Sequence, residues 1–131
     1  MKDLVCEQFQ DTVSQFLIRH QSILDILSKS QESNARVNRA VIKAVTSCGC
    51  VKIKAEKHDI PPEATLADLK TLLSTHLEGE LCPNCRDIIV GEMGKSIFYM
   101  TALCHSLGLN LSDVLQRENE KVSTLRVFNF T

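Results

Sequence analysis

Two close cysteine pairs are the residues best placed to do chemistry: Cys48-Gly49-Cys50 and Cys82-Pro83-Asn84-Cys85, with 31 residues between them. Pairs at such a separation are how one chain brings four thiolates to a single metal ion. Zinc takes a tetrahedral set of sulfurs, and each tight turn supplies two. Gly49 permits the backbone twist that Cys-x-Cys needs, and Pro83 and Asn84 suit the second turn. Cys85 falls in the first turn of an expected helix, where the partial positive charge favours thiolate. The expected cofactor is a structural zinc on Cys48, Cys50, Cys82 and Cys85. The same residues could serve as a redox dithiol at Cys82 and Cys85, hold an iron–sulfur cluster, or stand as reduced thiols without metal. Cys6 and Cys104 lie on apolar helix faces and read as small hydrophobes. His58 and His76 could each replace a cysteine as ligand, but neither has diagnostic spacing. They read, with His20 and His105, as surface or half-buried residues.

The elements that must position these thiols read as helical nearly throughout, with three prolines and five glycines at plausible boundaries. Val5, Phe9, Val13, Phe16, Leu17, Leu24 and Leu27 make one face of a first helix over residues 3–28. Ser28–Asn34 is expected to bend, or to form an exposed turn of a longer helix. A second helix with Val37, Val41, Ala44 and Val45 inward ends near Ser47. Val51–Ala55 alternates like a short strand. Thr65, with Asp68 three residues on, has the form of a capping box. It opens a helix carrying Leu66, Leu69, Leu72, Leu73 and Leu77, which Gly79 ends. Pro83 suits the first position of a fourth helix, whose stripe is Ile89, Met93, Ile97, Met100, Cys104 and Leu107. Gly108 stops it. Ser112 is expected to cap the last helix, and the apolar end with Phe128 and Phe130 to dock on the body or a second subunit.

At 131 residues with 44% apolar and 24% charged, the chain is expected to be one domain, residues 1–131, with a core of its own. No run approaches the ~18 apolar residues of a membrane helix. The acidic interruptions at the start do not fit a signal peptide, so the cytoplasm is the expected location and thiols there stay reduced. The net charge of −1 is neutral as to partners, but Ser33–Ala55 has no acid while carrying Arg36, Arg39, Lys43, Lys52 and Lys54. Those cations could offset the charge of about −2 on a zinc tetrathiolate, or form a surface for anions or nucleic acid. The absence of interleaved aromatics weighs against base stacking.

Residues Gly91 to Leu115 run GEMGKSIFYMTALCHSLGLNLSDVL. They resemble the MazG-like nucleotide pyrophosphohydrolases, in which an acid-Glu-(apolar)-Gly-Asp motif leads an apolar, aromatic-rich helix, a Leu-Gly-(apolar)-(polar)-Leu turn and another helix. Glu118-Asn119-Glu120-Lys121-Val122 fits the stretch that follows. The resemblance covers roughly a third of the chain. It implies a helical bundle, a dimer or tetramer, and Mg²⁺-dependent cleavage of nucleoside triphosphates. The family's Glu-x2-Glu and Glu-x2-Asp carboxylates hold Mg²⁺, which wants hard oxygen ligands and activates water. Glu92 matches the first member of Glu-x2-Asp. Lys95 stands at the aspartate position, where an ammonium repels Mg²⁺, and is expected to pair with Glu92 across one turn. Asn34–Val45, which should carry Glu-x2-Glu, has no carboxylate. Glu78, Glu80 and Asp87 flank the second cysteine pair without a matching spacing.

The expectation is therefore all-α: a bundle of about five helices with a short extended knuckle at a four-cysteine metal site. The favoured function is non-catalytic, a zinc-stabilised homo-oligomer that binds a partner or ligand. The alternatives are a divergent pyrophosphohydrolase using Glu92 and Mg²⁺ on a nucleotide, and anion or nucleic-acid binding through the basic second helix.

Overall fold

An antiparallel pair of long helices organises the chain. In the computed structural model, which describes residues 4–125, the order is α1 (Leu4–Phe16), α2 (Ile23–Lys43), a single π-turn (Ala44–Cys48), β1 (Val51–Ile53), α3 (Leu66–Leu72), β2 (Leu77–Gly79), α4 (Pro83–Ser106) and α5 (Leu111–Leu125). The architecture is all-α among the described residues, with one two-stranded sheet as its extended knuckle. The Phe128/Phe130 tail lies outside the described residues.

α2 packs along α4, and two clusters fix their direction. Ile26 meets Ala102 at one end, with Val13 and Leu17 from the α1 side. Ala44 meets Cys85 and Ile89 at the other, with Val51. α1 packs on α4 and α5. The Gln10 amide fastens it there, donating to Leu109 O at 2.8 Å and accepting from Leu111 N at 2.7 Å.

The first helix ends earlier than the sequence reading placed it. The break falls at residues 17–22, and Ser28–Asn34 is a turn of a longer helix rather than a bend. Ser22 is the N-cap, its hydroxyl accepting from Leu24 N. Ser33 is 3% exposed and bonds back to Ser30 O, so this serine lies in the seam against α4. Asn34 accepts from Ser96 Oγ of α4 at 2.5 Å. Packing against α4 keeps a locally polar stretch helical.

Thr65 and Asp68 form the expected capping box, but α3 stops at Leu72 rather than running to Gly79. It buries none of its residues, and Ser74 N donates to His58 Nε2 at 3.0 Å instead of continuing the helix. Leu77 is consequently a strand residue. The α4 stripe also differs from its reading as a core face. Ile89 and Cys104 are buried, but Met93, Ile97, Met100 and Leu107 are about half exposed. Of the residues read as the inward face of the second helix, Ala44 of the π-turn is buried while Val41 of α2 is exposed. At the start of α5 the capping side chain is Asn110, which accepts from Asp113 N at 3.3 Å; Ser112 lies inside the helix. Gly108 ends α4 as expected, at φ +72°.

Candidate metal centre

The thiols meet because three pieces of backbone geometry converge. The last turn of α2 widens to a π-turn, closed by Gly49 N donating to Ala44 O at 2.9 Å. Gly49 then takes the left-handed conformation at φ +82°, which turns the chain back and sends it into β1. β1 pairs antiparallel with β2, Val51 opposite Gly79 and Ile53 opposite Leu77. This pairing returns the chain from a long loop to within reach of α2. Gly79 sits at φ +91°, and a Cβ there would stand 2.6 Å from Cys50 O. Only glycine allows so close an approach. Three residues after Gly79 comes Cys82, the N-cap of α4, with Pro83 in the first turn.

The result is a cage. The four Sγ atoms of Cys48, Cys50, Cys82 and Cys85 all lie within 4.8 Å of one another. Cys48 and Cys82 are 3.8 Å apart. Sulfurs held about 2.3 Å from a central ion stand about 3.8 Å apart along the edge of a tetrahedron. The cage thus has the size of a single ion, whereas a cluster spreads its ligands over several irons. Cys85 is buried, Cys50 and Cys82 half-buried and Cys48 exposed, so an ion would be shielded by protein on one side and open on the other. Ala44, Val51 and Ile89 pack with Cys85 and back the cage on the protein side. All six cysteines are free thiols, with Cys104 buried in the helical core and Cys6 half-buried.

Helix geometry polarises the thiols. Cys85 N donates to Cys82 Sγ at 3.4 Å, and this bond draws the Cys82 thiol down to about 7. Cys85, sharing its proton with the Cys82 sulfur and desolvated, is pushed up to about 12. One thiolate is therefore stable alone, but four require a cation to displace the remaining protons. In metal-stripped protein, Cys82 is expected to alkylate first, with the rate rising as pH climbs through about 7. A uniform rate across all six cysteines, measured by peptide mapping, would contradict this geometry.

The histidines stand apart from the cage. His58 and His76 stack at 4.7 Å, 13° from parallel, with the Nε2 atoms engaged by Ser74 N and Glu56 O. They brace the loop before β2. His20 contacts Asp25 and Tyr99, and His105 is exposed in the last turn of α4. Two of the basic residues are paired with acids. Arg36 points to Glu32 and Lys54 to Glu56.

The carboxylate site implied by the resemblance does not assemble. Glu78 pairs in register with Lys52, and Glu80 and Asp87 are exposed. Among the described residues the cysteines are the one group of three or more such ligands that could hold a metal. Glu92 has a buried Oε1 without a hydrogen-bond partner. The expected pairing of Lys95 with Glu92 is absent: the lysine lines a groove with α2 residues instead. Among the described residues, no helix is long and apolar enough to cross a membrane. No family model, curated protein or solved structure matches the chain.

Proposed function

We propose that this chain is a non-catalytic, MazG-like bundle, stabilised by zinc on Cys48, Cys50, Cys82 and Cys85, that acts in the cytoplasm as a homodimeric binding protein. One observation carries it: a four-thiol cage of single-ion size ties α2 to α4. The acids that metal-dependent hydrolysis would need dwindle to Glu92. Zinc is the natural occupant because it favours four thiolates in a tetrahedron and brings no redox chemistry that would expose a reducing cytoplasm to side reactions.

The apolar surface supports the dimer. Lys29, Ser33, Arg36, Lys95 and Tyr99 line a shared groove on one side of the α2–α4 seam. In an antiparallel pair, the residues on the opposite flank of each helix therefore share the other side. Those are Leu27 and Val41 of α2 and Val90, Met93, Ile97 and Met100 of α4, every one of them exposed, around the Asn34–Ser96 hydrogen bond that crosses the seam. α2 has 21 residues, about 31 Å of helix, and two packed helices span about 20 Å. The face is thus roughly 600 Å², close to what one partner contributes to a small stable interface. A second copy laid on it by a twofold axis completes a four-helix bundle, with like faces meeting like.

Glu92 keeps the enzyme reading as the second one, because a buried carboxylate oxygen without a partner could await a cation. A nucleoside triphosphate screen with Mg²⁺ or Mn²⁺ tests the choice. Release of pyrophosphate is expected to stay at the blank level. Turnover that disappears in Glu92→Ala would replace the non-catalytic reading with the hydrolytic one.

A further inference from the structure

The groove on the polar side of the seam has a chemistry of its own. It encloses about 250 Å³ and is lined by Lys29, Glu32, Ser33 and Arg36 of α2 and by Lys95 and Tyr99 of α4. Lys29, Ser33 and Arg36 stand one turn apart in sequence, as do Lys95 and Tyr99, so each set occupies one face of its helix. Three cations face a single acid. Glu32 receives Lys29 at 3.1 Å and Arg36 at 3.5 Å, both pairs i,i+3 or i,i+4 and partly exposed. Such pairs are weak and readily give up one partner to a better anion. Lys95 has no carboxylate within ion-pair range among the described residues, and the Tyr99 hydroxyl has no hydrogen-bond partner among them. Two donors without partners thus line a groove whose balance, three cations less one acid, is +2.

We propose that this groove binds the phosphate group of a phosphomonoester directly, without a metal. The dianion cancels the excess charge. Arg36 offers a planar fork that matches two phosphate oxygens, Lys29 and Lys95 supply point charges from opposite helices, and Tyr99 adds a neutral donor. Ser33, buried and committed to Ser30 O, provides a close-packed floor. The volume admits a phosphate with a small attached body. This names a ligand class for the binding role proposed above and rests on the chain being a binder rather than a hydrolase.

The test is an amide-resolved NMR titration of the full chain, as purified, at constant ionic strength. The probes are inorganic phosphate, ribose 5-phosphate and chloride, with free phosphate assayed at the end. Saturable shifts at Lys29, Ser33, Arg36, Lys95 and Tyr99 with the two phosphates and not with chloride are expected. Lys95→Glu should weaken binding at least tenfold, and Lys70→Glu, on exposed α3, should leave it within twofold. Unchanged zinc content and circular dichroism in both variants exclude misfolding as the cause. Shifts that do not saturate, scatter over the surface, or survive Lys95→Glu would remove the groove as a site. Release of phosphate from the sugar ester would overturn the non-catalytic reading while leaving the groove in place.

Discussion

Cys82→Ser is expected to release the metal and destabilise the knuckle by more than about 4 kcal/mol, a loss of the size associated with removing a structural ion. The reason lies in how little else holds residues 44–82 together. The two strands are three residues each, too short to stand alone. α3 buries nothing, and the cluster behind the cage consists of Ala44, Val51, Cys85 and Ile89, two of them small. The Ile26–Ala102 cluster lies at the far end of the helix pair, away from the cysteines. A strong zinc chelator should therefore act regionally. Amide exchange is expected to accelerate first at Lys52, Lys54 and Leu77–Leu81, while the middle of α2 and α4 stays protected. Protons compete for the same sulfurs, so the protein should lose metal more easily as pH falls below about 7, where even the Cys82 thiol regains its proton. Cys6→Ser is the control and should retain the ion. A Cys82→Ser protein with unchanged melting and exchange would mean that the cage is incidental to the fold.

Ile97→Glu is expected to turn a dimer into a monomer. Ile97 is 53% exposed and Met93 46% exposed in the single chain, at the centre of the apolar flank. In the proposed dimer both would be covered. A carboxylate at that point must be desolvated beside apolar neighbours, costing about 3 kcal/mol or more, roughly a hundredfold in dissociation constant. The isolated chain should tolerate it, since the site is half open to water there. Light scattering should give twice the 14.7 kDa chain mass for the parent and the single mass for the variant, with helicity unchanged. A parent of single mass at high micromolar concentration would contradict the dimer and leave the flank for another partner.

How much of this was legible in the residues depends on whether the signal was local. The thiol pairs, Thr65 with Asp68, Pro83 and Gly108 act over three or four residues, and each appears where its chemistry placed it. Ser28–Asn34 left two readings open because its polarity suits a bend as well as an exposed turn of a longer helix, and the force that decides for the helix is α4, far away in sequence. The end of α3 was hidden for a similar reason: Ser74 N is taken by His58, 16 residues earlier. Periodicity marked Met93, Ile97 and Met100 as one face correctly, but cannot say whether the same chain covers it. Lys95 and Glu92 are spaced to pair, yet Lys95 joins Lys29 and Arg36 across the seam, a grouping only the antiparallel register creates. Lys29 and Tyr99 carried no motif of their own.

Metal content by mass spectrometry, on protein purified without chelator or affinity tag and with free thiols counted before and after denaturation, tests the central claim most directly. About one zinc per chain is expected, with four thiols shielded until the protein unfolds. Metal-free protein with all six cysteines freely reactive would contradict it.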